Sequence, residues 1–499
     1  MKNIYKYLML FVAVTVIVSC SEEDLEPTLS LDKDLSSGIA SAGDLASVLN
    51  SAYDRMTSSS YYGRNFILDG DVRTDNAYSN MNSGRFASSG MNYTSQGAGP
   101  WGAIYSVIAI TNIVIGADAT GLTGSQDAIM HTQGQAHALR ALAHFDLLKS
   151  YGQHFVTGAE GGSGLASMGI PYVKTYKDPA NLTPARATVS SNVADIVADL
   201  TSALTMMKPA LDGSTSYMTV MGAHAIAARA FLYVGALTGD YSGAATHAKA
   251  VIDGMSPVTA AGFAATYSTD NAINSIFELA QSGTDSNGIN GCAYILRGTS
   301  YGDVRILTRR IDPDTKLLSG DPNYWKSSNK IGSVLDLMDK FELFPADIRG
   351  AAEMVGIAQG YPTVLGKYPT MNGSDNITLF RVEEMHLIYA EAMLWGGDAA
   401  TALTYLNNIP AIRGLGAGHY TAASLDNILL ERQKEFYFEG LRYDDLLRTQ
   451  KGMPLVDGFK QLNDDQTGTP PEYGNYRTAY PIGTGEINAN PNMKENYGY

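Results

Sequence analysis

Cysteine is nearly absent: the 499 residues hold two, Cys20 and Cys292. With eight histidines spread widely and no paired-cysteine spacing, a zinc site has no support. Phosphate loops of the G-x-x-x-x-G-K-[ST] type are missing, and no G-x-G-x-x-G follows a strand, so the usual nucleotide cradles are absent. Basic residues are few against acidic ones, 35 Lys and Arg to 50 Asp and Glu, for a formal charge of −15. A duplex or an anionic bilayer would be repelled by such a surface, which argues against nucleic acid as a partner. Charged residues make up only 17%, whereas Gly (51) and Tyr (30) are plentiful. That balance suits a folded chain rich in loops and aromatic contact surface, not a disordered one.

The N-terminus carries the most informative short segment. Lys2 and Lys6 mark a basic start, Leu8 to Val18 is apolar apart from Thr15, and Ser19-Cys20 follows. A membrane-spanning helix needs about 20 apolar residues, so this run is the core of a signal peptide over residues 1–19. A small residue before Cys at the end of the run resembles the bacterial lipobox, which makes Cys20 the acylated first residue of a lipidated tether over 20–37. Loss of Lys2 and Lys6 with the leader takes the formal charge from −15 to −17. The acidic "SEEDLEP" after Cys20 resembles the surface-export signal of Bacteroidetes lipoproteins. Lipidation of Cys20 leaves Cys292 alone, either a small buried hydrophobe or a reactive thiol.

Beyond the tether, helical periodicity dominates. "GDLASVLNSAYDRM" (43–56) places Leu45, Val48, Leu49, Ala52 and Met56 on one stripe, and residues 131–152 do likewise through Ala136, Leu139, Ala143 and Leu147. Further helices are expected at about 190–207, 219–237, 243–253, 382–395, 398–409 and 424–449. Residues 233–252 and 389–409 are alike: each runs Tyr-x-x-Ala, a Gly/Asp turn, then Ala-Ala-Thr opening a second helix. Small residues at crossings let paired helices approach closely, and the pattern resembles tetratricopeptide-type hairpins embedded in a larger domain. Between helices lie Gly-, Ser- and Tyr-rich stretches at 58–100, 156–188 and 281–378, where a ligand face is expected.

Three motifs could carry chemistry. Gly298-Thr-Ser300-Tyr-Gly302 fits G-x-S-x-G, but a nucleophile elbow needs a strand before it and a helix after it. "CAYILR" could be that strand, yet a turn-bearing segment follows and nothing selects a His and an acid. Glu383-x-x-His386 is half of a di-metal signature whose second copy is missing. "ERQKEFYFEGLRYDDLLR" (431–448) spaces Glu431, Glu435 and Glu439 four residues apart. In a continuous helix the outer two would be about 12 Å apart, too far for one metal. Arg432–Glu435, Glu439–Arg442 and Asp444–Arg448 are then helix-supporting pairs of about 0.2–0.5 kcal/mol each, on a partly buried helix.

The same segment resembles the E-R-x-x-E-[LF]-x-[FL]-E-G-x-R-x-x-D-L-x-R signature of the SusD/RagB family of Bacteroidetes outer-membrane lipoproteins. Four more segments agree in the family's order: "WGAIYSVIAITNIVI" (101–115), "GQAHALRALAHFDLLKSYG" (134–152), "RVEEMHLIYAEAM" (381–393) and "YPIGTGEINANPNMKENYGY" (480–499). Departures are modest: Gln135 and Ala136, Gly483 for Pro and Tyr497 for Pro. The resemblance implies an all-α fold, one domain over 38–499, with tetratricopeptide-type hairpins as scaffold and a long loop-rich ligand face. It further implies a non-catalytic role, without cofactor or metal. Such a protein captures oligosaccharides, or in some branches peptides, at the cell exterior. There it acts as the lid of a SusC-like TonB-dependent transporter, anchored to the outer membrane by its N-terminal lipid.

Sugar binding favours aromatic platforms with carboxylates, amides and Arg for the hydroxyls. "LDGDVRTDNAY" (68–78) offers Asp71, Arg73, Asp75, Asn76 and Tyr78 in an expected loop, and it resembles the family stretch that reaches the ligand; a solvated turn is the alternative. Trp101 is a platform or the packed first residue of its helix. Tyr301, Tyr324 and Trp325 lie in the long middle stretch, where the family places binding aromatics. A hydrolase would need a carboxylate pair or triad converging in one cleft.

Overall fold

The computed structural model describes residues 38–92, 99–312, 314, 330–342, 346–461 and 471–499. Cys20, the leader, the tether, Tyr324 and Trp325 lie outside these residues. The framework is helical. Helix α1 spans Ala42–Met56, α2 Asn65–Val72, α3 Trp101–Gly116, α4 Gln126–Tyr151 and α5 Val189–Met206. Helices α6 (Val220–Thr238) and α7 (Ser242–Gly254) form one pair, α9 (Val382–Trp395) and α10 (Ala399–Ile412) another. Between the pairs a short α8 covers Cys292–Arg297; α11 (Leu425–Phe436) and α12 (Arg442–Arg448) follow them.

The starts of these helices are written locally. Ser41, Ser125, Thr188, Thr219, Asp398 and Ser424 each accept, through the side chain, a hydrogen bond from the backbone N–H three residues on. Each cap satisfies an otherwise orphaned donor and contributes about 1 kcal/mol. Gly239 ends α6 in the left-handed conformation at φ +78°, which turns the chain directly into α7.

The two repeats anticipated from the Tyr-x-x-Ala pattern are the pairs α6–α7 and α9–α10, and α7 packs on α9. Small residues set how closely they approach. A Cβ on Gly235 would stand 2.5 Å from the Tyr241 ring, and one on Gly243 2.6 Å from that of Phe231. Ala244 and Ala248 are wholly buried on α7, as are Ala390 on α9 and Ala402 on α10. Tyr241 and Trp395 stack across the two turns, 5.6 Å between centroids and 10° between planes.

Helix α4 departs from the amphipathic stripe expected over 131–152. From Ala138 to Lys149 every residue is buried, because α3, α5 and α6 all pack around it. Helix α6 is long and apolar enough to cross a membrane, but it too lies against the core. One apolar cluster takes side chains from Leu45 near one end of the described chain to Met493 near the other.

Among the described residues six short strands pair into three antiparallel ribbons: β1 (Ala77–Ser79) with β3 (Val304–Ile306), β2 (Ser275–Leu279) with β6 (Ile377–Arg381), and β4 (Val355–Ala358) with β5 (Tyr361–Val364). They lie within the stretches read as loops, apart from β2 and the end of β6. The β1–β3 ribbon, in register Tyr78↔Arg305, ties residues 77–79 to the long middle segment.

Candidate ligand-binding site

The glutamate row does not form one helix face. Helix α11 ends at Phe436, Phe438 and Gly440 take left-handed backbone (φ +57° and +79°), and α12 begins at Arg442, so Glu439 sits in the break. None of the three expected intrahelical pairs forms; apart from Glu431–Lys434 and Asp445–Arg448, the charges reach other elements. Glu431 meets Arg349 (2.6 Å) and Lys434 (3.1 Å). Glu435 collects Arg349 (3.1 Å), Arg381 (2.5 Å) and Arg413 (2.8 Å), and Glu439 takes Arg381 (2.9 Å) and Lys367 (2.5 Å). Arg432 binds Asp445 at 2.7 Å, Arg442 binds Asp75 at 2.8 Å, and Asp444 binds Lys149 at 2.7 Å.

Burial alone would raise the Glu435 carboxyl, but Arg413, Arg381 and Arg349 outweigh it and hold it well below the usual carboxylate range. For Lys367 burial prevails, aided by Arg381 and opposed by Glu439, and the ammonium is pushed down to about 8. Every acid here is consumed by fixed cations in a closed interior. The segment is a charge-paired core, and the expected single, partly buried helix with internal charge pairs is corrected to that extent.

The stretch 68–78 is not a loop. It runs through the end of α2 into β1, and Asp71, Arg73, Asp75, Asn76 and Tyr78 are all buried. Asp71 accepts hydrogen bonds from the N–H groups of Phe438 (2.9 Å) and Gly440 (3.0 Å) and from the Asn76 amide (2.7 Å). It thereby clamps the left-handed break, and burial pushes its carboxyl up to about 6. Asp75 also pairs with Lys340 at 3.2 Å and accepts from Gln433 at 2.9 Å, while Asn76 accepts from the same amide at 2.7 Å. Arg73 points elsewhere. Its guanidinium lies over Tyr443 (4.2 Å) and Tyr480 (4.9 Å), at a water-sized cavity of about 40 Å³ shared with Asp69, Lys149 and Thr478. A solvated turn fails for the same reason as a loop. These residues knit α2 and β1 to the α11–α12 break, and only a rearrangement would bring them to a ligand.

Of the aromatics, Trp101 is half-buried at the start of α3. Its ring packs on Tyr105 (4.8 Å) and Tyr151 (4.9 Å), and the Tyr151 hydroxyl accepts its backbone N–H at 3.1 Å. That is the packing alternative. Tyr301 is half-buried just before β3, edge-on to Tyr294 at 5.6 Å, with the Arg85 guanidinium 4.3 Å from its ring centre. The Asn80 amide donates to Gly302 O at 2.9 Å and fastens the 80–85 turn to the Tyr301 loop. Polar side chains and one aromatic plane thus share a loop corner. Arg85 and its neighbour Asn290 escaped the sequence reading. Their only signal was a lone basic residue in the Asn-, Ser- and Gly-rich "NMNSGRF". A groove of about 530 Å³ opens at the other end of α3, between Ile39, Leu122 and Tyr176. Its buried Asn112 is already committed to Val173 O (3.0 Å) and Arg140 (2.8 Å).

The catalytic motifs dissolve. Cys292–Arg297 is helix and Val304–Ile306 strand, the reverse of an elbow's order, and Ser300 is exposed. Glu383 is spent on Arg413 (2.8 Å) and Arg381 (3.3 Å), and burial pushes His386 down to about 4. Among the described residues no three His, Cys, Asp or Glu side chains converge as metal ligands.

Scaffold and corner together define a helical protein that presents a loop-borne contact face. A family profile described as SusD family matches residues 347–499, and one described as starch-binding associating with outer membrane matches residues 25–232. The starch-binding protein SusD of Bacteroides thetaiotaomicron is 32% identical over 145 residues, 28% of this chain and 24% of that protein. The match thus spans about a quarter of that relative's length. A SusD superfamily structure from Bacteroides thetaiotaomicron superposes with a TM-score of 0.75 at 24% identity, covering 91% of this chain and 99% of its own. One from Bacteroides vulgatus gives 0.75 at 23%, covering 92% and 100%. A laminarin-binding SusD-like protein gives 0.64 at 18%, covering 92% and 100%. The chain belongs to the SusD-like family, whose members are binding proteins.

Proposed function

We propose that the protein is an outer-membrane lipoprotein that captures oligosaccharides at the cell exterior. It passes them to a SusC-like TonB-dependent transporter, over whose mouth it acts as a lid. The observation that carries the proposal is membership of a family whose matching profile is described as starch-binding and outer-membrane-associated. The names of relatives that bind starch and laminarin support the glycan class. The Tyr301 corner supplies the aromatic plane and hydrogen-bonding groups that such a ligand uses. The lipid anchor rests on Ser19-Cys20 at the end of the apolar leader.

Calorimetry of the full chain against panels of oligosaccharides and peptides tests the ligand class. Glycan binding that Tyr301→Ala weakens at least tenfold is expected; binding of peptides alone would replace the glycan reading with peptide capture. The anchor is tested by Cys20→Ala, which should move the protein from the membrane fraction to the soluble one. A variant that remained membrane-bound would end the lipoprotein assignment.

A further inference from the structure

Half of the 18 arginines of this protein are consumed by carboxylates. Arg140, Arg229, Arg309, Arg349, Arg381, Arg413, Arg432, Arg442 and Arg448 all sit in ion pairs. The loop corner is different. Arg85 donates to Ser83 Oγ (3.2 Å) and to Asn290 Oδ1 (3.1 Å), and Arg64 donates to Asn290 O (3.1 Å) and Asn65 Oδ1 (2.7 Å). Neither has a carboxylate within 4.0 Å among the described residues. Two carboxylates stand farther off: Asp69 accepts from Ser89 (2.5 Å) and Tyr480 (3.2 Å), and Asp303 accepts the Ser83 N–H at 2.9 Å, its Oδ2 buried without a hydrogen bond among the described residues.

Two guanidiniums therefore converge on one neutral residue, in a protein whose formal charge is −15. Burial, and then the Arg85 charge, lower the proton affinity of Arg64, and the opposing pull of Asp69 and Asp303 does not restore it. Both side chains are half-buried, so their charges act in a medium less screening than water. Arg85 also closes one side of the Tyr301 ring at 4.3 Å, and Arg64 lies 6.0 Å from the centre of Phe86. A sugar stacked on this corner meets cationic donors at its edge. Guanidinium forks match pairs of oxyanion oxygens, in a carboxylate or a tetrahedral ester, in spacing and charge.

We propose that Arg64 and Arg85, gathered on Asn290 beside Tyr301, form an anion subsite, so that the captured glycan is acidic and carries a uronate carboxylate or a sulfate ester. This rests on the glycan-capture function proposed above and adds the charge class of its ligand. The two sources share a singly charged group of acceptor oxygens and differ in whether carbon or sulfur bears it.

The test is calorimetry of the full chain in detergent against four probes: a galacturonate hexamer, a sulfated galactan hexasaccharide without uronate, maltoheptaose and laminarihexaose. One acidic probe should bind at least about tenfold more tightly than either neutral one at low salt, and that preference should collapse at high salt. Which acidic probe binds names the source. Arg85→Gln and the double variant Arg64→Gln/Arg85→Gln should each remove the preference while melting at the parental temperature. Equal or tighter binding of a neutral probe, unchanged in both variants, overturns the anion subsite and leaves glycan capture standing. Binding of no glycan by parental protein that melts cooperatively overturns both.

Discussion

Glu435 is the carboxylate on which the interior depends most, and Glu435→Gln isolates its charge while keeping its volume. The side chain is wholly buried and faces the guanidiniums of Arg349, Arg381 and Arg413 at 3.1, 2.5 and 2.8 Å. In the variant an amide N–H₂ confronts donors, and three fixed cations lose a shared counterion. Glu383, Glu431, Glu439 and Asp347 remain and absorb part of the excess. Removing one member of a buried ion pair costs about 3–5 kcal/mol, mostly because the partner stays behind unpaired. Unfolding entropy of ~2.1 cal/mol/K per residue gives a chain of this length roughly 1 kcal/mol/K, so the midpoint should fall by about 3–5 °C. Scanning calorimetry measures the shift directly. Asp253→Asn, which removes one partner of the exposed Lys249–Asp253 pair, serves as the control and should leave the midpoint unchanged. A fall of under 1 °C for Glu435→Gln would refute the charge-paired core. A loss of glycan binding at an unchanged midpoint would refute it differently, by placing the segment at the ligand.

Acid should destabilise the fold through its buried histidines. Burial pushes His144 down to about 3, and its Nε2 accepts the Val173 N–H at 3.1 Å, so it stays neutral in the fold while the unfolded chain takes up a proton near pH 6.5. Its contribution is nil above that pH, and stability is lost as pH falls from about 6.5 toward 3, by up to about 1.4 kcal/mol per unit. Urea unfolding at pH 7, 6 and 5 should show a slope that His144→Gln makes shallower by about one proton; an identical slope would remove His144 from the account. Asp71→Asn leaves one of the Phe438 and Gly440 N–H groups without an acceptor and should cost about 1–3 kcal/mol, read by calorimetry. Cys292 is buried and its thiol is pushed up to about 12, so a thiol reagent should label it only after unfolding. Rapid labelling of the native protein would contradict its closed packing.

Much of the helical scaffold was legible in the sequence because its signals are local. The caps Ser41, Thr188, Thr219 and Ser424 stand one residue before their helices, and the Tyr-x-x-Ala repeats mark both packed pairs. A Gly in the left-handed region announces a turn, as at Gly239. Long-range charge choice is not local. Glu435 has Arg432 three residues before it, yet its partners come from positions 349, 381 and 413, because the interior leaves the charge no water to fall back on. The break at 437–441 was hidden for a related reason. Phe438 and Gly440 adopt positive φ where Asp71, far away in sequence, accepts their N–H groups.

The sequence by itself determined most of the long helices, the repeated pairs and, through the spacing of Glu, Arg and aromatic residues in 431–448, the family. Periodicity and capping act within a few residues, so they survive in a one-dimensional reading. Tertiary structure alone decided which polar residues are interior and which meet solvent. It turned Asp71, Arg73, Asp75 and Asn76 from an expected ligand loop into buried ties, and it set Arg64, Arg85, Asn290 and Tyr301 together from three separate stretches of chain. A side chain's chemistry is fixed by its residue type, but its counterion and its water are fixed only when distant segments close around it.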